Sequence, residues 1–472
     1  MAADLELSYK SASSLRALYL AGSVSATEVV KNTLARIDET NTDLNALTYV
    51  DAEGAIETAR TCDIAIANSR KTGAELPPLC GIPVSVKELI EVGGMPCRYG
   101  SRTMSSHVPA RDAPSVERLR ASGAIIIGMT NTSEYGYRGY TDNMLNGLTR
   151  NPWDLARSPG GSSGGAVSSV AAGVTPIALG TDGGGSIRNP CGFTGLVGIK
   201  AQFGRVPIYP ASATPTLAHV GPIARHADDA VRLLNVIAGP DFRDWTSLQP
   251  PIGDGNDSIS QTRPLRIAYS PTFGYGKIEP EVFKVLNQAI NLIQHDLGPI
   301  AVEENICQDE SELFMAEFIG GCSARLGAKI EDCPNDIDPM LLKLVLAFRE
   351  RSAASYNELL QRRYVLREHM RQFFDRWDVL LSPMTPCTAF KIGQRAPVGY
   401  ENFRLWTFFA YPFNLTGYPA ATLPCGFSTA GLPIGLQIIV PPQREKLLIE
   451  LLMHFEKILC CNNRRPSMIG SE

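Results

Sequence analysis

Apolar positions along this chain switch repeatedly between helical and strand spacing. Leu15, Leu18 and Leu20 precede a break at Gly22, and Val29, Val30, Leu34 and Ile37 recur at helical spacing behind Ser25-Ala-Thr-Glu28, which has the form of a capping box. Two helices are predicted within 11–38 and an Ala-rich one over 51–70. The period then changes. Ile82, Val84 and Val86 alternate with Pro83, Ser85 and Lys87, which predicts a strand over 79–88 with Lys87 near its end. The alternation continues with a short helix over 114–121, a strand over 123–128, a helix over 163–172 and strands at 176–179 and 196–199.

Downstream the same reading gives a helix over 226–238, a strand over 265–269 and an amphipathic helix over 280–297. Residues 310–376 read as mostly helical, interrupted near 333–336, and a strand at 379–382 leads into a turn at 383–386. An aromatic-rich helix is predicted at 405–415, then strands at 420–423 and 434–440 and a closing helix at 443–459. Strands alternating with helices imply an α/β fold with a largely buried sheet between helical layers. The stretch 248–264 is polar, carries Gly and Pro and lacks a period, so it reads as a surface loop. The expectation is one domain spanning 1–472, with a mostly helical excursion at about 305–376.

Composition narrows the function classes. With 472 residues, 44% apolar, 19% charged and a net charge of −4, the chain has an ordinary globular balance and no basic excess of the kind that nucleic acid requires. Arg362, Arg363, Arg367 and Arg371 are spaced as one solvated helix face. Asp4 and Glu6 stand where a signal peptide carries positive charge, and Arg16 breaks a short apolar run, so neither a signal peptide nor a membrane anchor is expected. Eleven cysteines without CxxC or Cys/His spacing, and six unpaired histidines, read as reduced thiols and ordinary side chains of a cytoplasmic protein that needs no metal or cofactor.

The chemistry concentrates in 158–190. Two glycine clusters, Gly160-Gly-Ser162-Ser163-Gly-Gly165 and Gly183-Gly184-Gly185-Ser186, flank a small-residue apolar segment. Glycines in such number imply close backbone approach, and the serines between them suggest a serine-based site. No lysine follows either cluster as a phosphate-binding loop requires, and the first follows a turn-rich segment rather than the strand of a dinucleotide fingerprint. Gly160-Gly-Ser162-Ser-Gly164 matches the hydrolase GxSxG literally, again without the strand that the motif needs. A third reading pairs the serines with a lysine base. Lysine serves if it is neutral, which burial favours, and Lys87 ends an apolar strand.

Five motifs occur in order: Gly81-Ile-Pro-Val-Ser-Val-Lys87-Glu, Gly128-Met-Thr-Asn-Thr-Ser-Glu134-Tyr135-Gly136, Thr149-Arg-Asn-Pro-Trp-Asp154, Ser158-Pro-Gly-Gly-Ser-Ser-Gly-Gly165 and Leu179-Gly-Thr-Asp-Gly-Gly-Gly-Ser-Ile-Arg188. With the tail Asn414-Leu-Thr-Gly-Tyr-Pro-Ala-Ala421, the chain resembles the amidase signature family over essentially its whole length. That resemblance implies a large mixed sheet between helical layers and a Ser–cis-Ser–Lys triad: Ser186 as nucleophile, Ser162 in a cis peptide as relay and Lys87 as base. Backbone N–H groups of Gly183, Gly184, Gly185 and Ser186 would form the oxyanion hole. Asp182 with Arg188 would hold the turn, and Ser163 and Thr181 would hydrogen-bond the triad. Tyr135, Trp406 and Phe409, with Phe408, Tyr411 and Phe413, are candidates to line a substrate pocket.

Within the family, the glutamine-hydrolysing subunit of the tRNA-dependent amidotransferase needs groups for a zwitterionic head. Thr407 stands where its acid is expected, and no match to its arginine is seen around 341–349. The expected activity is a free-standing serine hydrolase that cleaves apolar or aryl amides through an acyl-enzyme, with carbamates and esters as further substrates. The alternatives are an inactive binding protein and the amidotransferase subunit. A small-molecule substrate is the expected partner, without nucleic acid or membrane, and the oligomeric state is open, a homodimer included.

Overall fold

The computed structural model of the chain describes residues 2–248, 264–400 and 406–466. Most of the predicted loop at 248–264 therefore lies outside the described residues. Eleven strands form one mixed sheet: β1 (Leu47–Val50), β2 (Pro83–Lys87), β3 (Ile125–Thr130), β4 (Ile177–Thr181), β5 (Val197–Lys200), β6 (Val220–Ala224), β7 (Ile267–Tyr269), β8 (Ile300–Val302), β9 (Val379–Pro383), β10 (Ala420–Phe427) and β11 (Pro433–Ile439). Their spatial order is β1-β3-β2-β4-β6-β5-β10-β11-β9-β7-β8. β2 runs parallel to both β3 and β4, whereas β5, β10 and β11 pair antiparallel in sequence. Every residue of β2, β3, β5, β6, β9 and β11 is buried, as expected where helices cover both faces of a sheet.

Local chemistry explains the helix boundaries. Ser25 and Glu28 complete the predicted capping box at the start of Ala26–Leu44, and Gly22, at φ 72°, closes Ala12–Ala21 in the left-handed conformation that glycine adopts without a Cβ penalty. Helices Gly164–Ala171, Ala227–Ile237, Pro280–Leu297 and Glu445–Leu459 pack on the sheet. Among the described residues no helix is long and apolar enough to cross a membrane.

The structure adds elements that periodicity misses. β1 and β8 are short edge strands with mostly half-buried positions, so neither shows a clean alternation. β6 reads Val-Gly-Pro-Ile-Ala, and its Pro222, a residue that argues against a central strand, sits opposite Leu179 of β4 inside the sheet. The predicted helix at 405–415 is corrected. Of its described residues, 406–411 form turns and only Pro412–Leu415 is helical; proline is tolerated at a helix start and disrupts an interior. Position 405 lies outside the described residues.

Between β8 and β9 the chain forms the helices Ser311–Leu326, Lys329–Asp332, Pro339–Arg349 and Ala353–Arg376. Two adjacent glycines let the first of them dock closely. A Cβ on Gly321 would stand 1.8 Å from the Ala213 carbonyl oxygen, and one on Gly320 would stand 2.6 Å from Phe348 Cζ. That contact seats the helix against the loop that carries Ala213. Gly321→Ala forces backbone apart and is expected to lower stability by about 1–3 kcal/mol in chemical denaturation, the usual cost of overpacking; an unchanged midpoint and slope would show that the close approach is not required.

Candidate active site

β2 and β4 are parallel neighbours, so their carboxyl ends open on the same edge of the sheet, where α/β folds commonly place ligands. β2 ends in Lys87 and β4 in Thr181. The chain leaves β4 into the Asp182–Ser186 loop, and the segment before the helix Gly164–Ala171 brings in Ser162 and Ser163, with a cis peptide between Gly161 and Ser162. Lys87 is fully buried, and its Nζ lies 2.7 Å from Ser162 Oγ, 2.9 Å from Ser163 Oγ and 2.8 Å from Thr181 Oγ1. Ser163 also donates its hydroxyl to the Thr181 carbonyl and its N–H to the Ser186 carbonyl.

Electrostatics follow from this burial. Among the described residues no carboxylate pairs with Lys87. Removal from water pushes its pKa well below the ordinary lysine value, and the more distant charge of Asp182 offsets this only in part. Asp182 is already committed. Its carboxylate accepts two bonds from the Arg188 guanidinium, at 2.9 and 3.0 Å, one from Asn414 Nδ2 at 2.9 Å and one from the Gly185 N–H at 2.7 Å. Burial alone would raise the Asp182 pKa, but Arg188 overrides it and holds the carboxyl far below the usual range. Arg188, also fully buried, reaches on to Gln437 Oε1 on β11 and to Asn414 Oδ1, both at 2.7 Å.

The oxyanion set read from the sequence is revised by these bonds. Gly185 spends its N–H on Asp182, whereas those of Gly183, Gly184 and Ser186 find no acceptor among the described residues. The glycines also meet side chains: a Cβ on Gly184 would stand 2.3 Å from Phe314 Cζ. Part of the bare backbone is thus there to let the helix Ser311–Leu326 approach.

Ser162, Thr181, Gly183 and Ser186 open into a cleft walled by Leu89, Ile90, Tyr135, Ile208, Ala213 and Phe318. Ser186 is 9% exposed and Lys87 is 0% exposed, so the serine faces the cleft and the lysine stands behind it. Tyr135 lines the cleft, with its hydroxyl on Thr103 at 2.8 Å. Trp406 and Phe409 do not. Trp406 stacks on Phe193 and packs edge-on to Phe390, and Phe409 packs against Phe273 and Phe408, so both are core. Phe408, Tyr411 and Phe413 are likewise buried away from it.

Several residues around the site were not foreseen. Asn414 and Gln437 anchor Arg188 from the far side of the sheet. Lys200, at the end of β5, is a second fully buried lysine, hydrogen-bonded to the Tyr418 carbonyl and 3.4 Å from His219 Nε2; His219 borders the cleft. Only Asn414 carried a signal, as the first residue of the Asn-Leu-Thr-Gly segment.

Comparison with known proteins agrees on the family. A model of the amidase family matches residues 28–449. A glutamyl-tRNA(Gln) amidotransferase subunit of Symbiobacterium thermophilum is 36% identical over 97% of this chain and 98% of its own. An acylamidase of Rhodococcus erythropolis is 31% identical over 98% of each chain. The crystal structure of a bacterial aryl acylamidase of the amidase signature enzymes superposes with a TM-score of 0.86 at 28% identity, covering 97% of this chain and 99% of that one.

Two stability measurements probe this arrangement. Arg188→Met leaves the Asp182 charge buried without its main partner and should cost about 3–5 kcal/mol in chemical denaturation; a loss within the range of surface substitutions would contradict the bracing role. For Lys87 the sign follows from linkage. The native lysine binds its proton less readily than the unfolded one, so native stability rises with pH between the depressed native pKa and the ordinary value of 10.5. Lys87→Met removes this term. The wild type should therefore gain stability relative to the variant as pH climbs through that window, by at most about 1.4 kcal/mol per pH unit; parallel curves would show that Lys87 stays charged.

Proposed function

The chain belongs to the amidase signature family and is an amide-hydrolysing enzyme; from that premise we propose that it is a free-standing serine hydrolase acting on apolar or aryl amides, with Ser186 as nucleophile, Ser162 as proton relay and Lys87 as base. One observation carries the reading: Lys87 is buried among three hydroxyls, with no carboxylate paired to it among the described residues. A neutral amine has two N–H donors and one lone pair. It satisfies two hydroxyls as donor and accepts a proton from the third, Ser162.

In this mechanism Lys87 takes the Ser162 proton while Ser162 takes that of Ser186, and the Ser186 oxygen bonds to the amide carbon. The oxyanion is held by the N–H groups of Gly183, Gly184 and Ser186, a contribution of about 3 kcal/mol per donor in comparable sites. As the tetrahedral adduct collapses, the proton returns through Ser162 to the leaving nitrogen, the C–N bond breaks and the amine departs. Water then adds to the acyl-Ser186 carbonyl through the same relay and releases the acid. Ser163 and Thr181 hold the Lys87 nitrogen, and Asp182 with Arg188 braces the oxyanion loop.

The apolar walls of the cleft, and Thr407 in place of an acid, favour an acyl or aryl substrate over glutamine. Carbamates and esters present the same carbonyl geometry to the same nucleophile. The second reading, a glutamine-hydrolysing subunit, is favoured by the 36% identity to an amidotransferase subunit.

Hydrolysis of 4-nitroanilides, 4-nitrophenyl carbamates and glutamine by the isolated chain separates the two. Anilide cleavage is expected without partners, with little ammonia from glutamine, and Ser186→Ala should lower kcat/KM on the order of 10⁴-fold or more. Glutamine turnover exceeding anilide turnover would favour the amidotransferase reading, and full activity in Ser186→Ala would remove Ser186 as nucleophile.

A further inference from the structure

The turn beside Ser162 has a backbone conformation that its own sequence does not favour. Tyr135 stands at φ 47° and ψ 18°, and Gly136 follows at φ 75°. Glycine adopts the left-handed region readily, whereas a tyrosine does so only where its surroundings hold it. This turn lies on the Ser162 side chain. A Cβ on Gly136 would stand 3.2 Å from Ser162 Oγ and 3.9 Å from Ser162 Cβ. A serine has three staggered wells to choose from. The Gly136 backbone fills space that Ser162 would otherwise rotate into, and the Ser162 hydroxyl rests 2.7 Å from Lys87 Nζ.

The anchor of this turn comes from far along the chain. Asp338 caps the helix Pro339–Arg349 by accepting the N–H groups of Met340 and Leu341. The same carboxylate accepts the Tyr137 hydroxyl and pairs with the Arg138 guanidinium, and the Asp338 N–H donates to Glu134 Oε2 at 2.7 Å. Glu134 on one side and Tyr137 and Arg138 on the other thus flank the left-handed pair, and all three meet one residue. Glu134, Tyr137 and Asp338 are buried, so water does not compete for these bonds. Other hydrogen bonds of 133–138 run to residues 99–103, to Thr132 or within the segment. Among the described residues, Asp338 is the one hydrogen-bond partner that the helices between β8 and β9 give this segment.

The anchor also has a second end. The helix that Asp338 caps packs on Ser311–Leu326, whose Phe314 and Phe318 meet Gly184 and Gly183 of the loop before Ser186. Tyr137, Arg138, Gly184, Ser186 and the two phenylalanines surround one small space. Asp338 lines neither that space nor the cleft, yet it ties the turn at Ser162 to the helices that press on the Ser186 loop.

We propose that Asp338 is a positioning residue for the proton relay: by pinning Glu134, Tyr137 and Arg138 it keeps the Tyr135–Gly136 turn against Ser162, and the turn keeps the Ser162 hydroxyl on Lys87. The proposal rests on the relay role given to Ser162 above. A released turn gives Ser162 other rotamers, so the relay is in line in fewer molecules. Amide cleavage uses the relay twice before the amine leaves, to take the Ser186 proton and to protonate the leaving nitrogen, whereas 4-nitrophenolate departs without a proton. Acylation by an amide therefore depends on Ser162 more steeply than acylation by a 4-nitrophenyl ester.

The test takes the ratio of kcat/KM for butyric acid 4-nitroanilide to that for 4-nitrophenyl butyrate, in which the fraction of active protein cancels. Asp338→Ala should lower this ratio on the order of tenfold or more. Tyr137→Phe/Arg138→Gln, which leaves Asp338 on its helix cap, should lower it to a similar extent, and Arg138→Lys should lower it less than Arg138→Gln. An unchanged ratio in either Asp338→Ala or the double variant overturns the proposal; a fall in Asp338→Ala alone would assign the effect to the helix cap. A crystal structure of the double variant tests the coupling whether or not either substrate is cleaved. Tyr135 should leave the left-handed region and Ser162 Oγ should move out of hydrogen-bond reach of Lys87 Nζ, and either one kept in place contradicts the proposal. Absence of turnover in the wild type, by contrast, removes the hydrolase reading.

Discussion

A lysine removed from water and given only hydroxyls for company is the constraint on which the rest of this site depends. A buried ammonium needs a counter-charge in contact or it sheds its proton. Lys87 has none in contact among the described residues, because the nearby carboxylate, Asp182, is claimed by Arg188 and Asn414. The arrangement works in both directions. Pairing Asp182 with Arg188 leaves Lys87 without a counter-charge in contact, as the proposed base role requires, and it also fixes the Asp182 carboxylate that accepts the Gly185 N–H and shapes the loop at 182–186. One ion pair therefore sets the geometry of one half of the site and the electrostatic surroundings of the other.

The sheet topology makes this possible. β2 and β4 deliver Lys87 and Thr181 side by side because they are parallel neighbours. The bracing residues come from the other half of the sheet: Gln437 lies on β11, and Asn414 precedes β10, which pairs with β5. The helix Ser311–Leu326, emerging between β8 and β9, presses Phe314 and Phe318 against the glycines and presents Arg325 to the cleft. Residues far apart in the chain thus fix the loop around Ser186, and the helical stretch sets the character of the cleft opposite it.

What was legible in the sequence was local. Lys87 at the end of an alternating strand, and two glycine–serine turns around one buried segment, marked where chemistry concentrates, and those residues do meet. Central strands with clean alternation were equally readable. The rest depended on long-range register. Pro222 hid β6, since a proline lowers any strand reading, and the short edge strands β1 and β8 carry too few buried positions to show a period. Trp406 and Phe409 are as apolar as any pocket wall, and nothing in their spacing tells that Phe193, Phe390 and Phe273 enclose them. Gly185 looks like its neighbours in sequence, and only the fold shows its N–H turned to Asp182.

The protonation state of Lys87 is the point on which the account stands. The ¹⁵N chemical shift of its side-chain nitrogen, followed through the neutral and alkaline range in lysine-labelled protein, reports that state directly. Lys87→Met and Lys200→Met distinguish the two buried lysines. A neutral Lys87 gives an amine-type shift already at neutral pH, far below the point where an ordinary lysine deprotonates. An ammonium shift that persists up to the ordinary lysine range would contradict it.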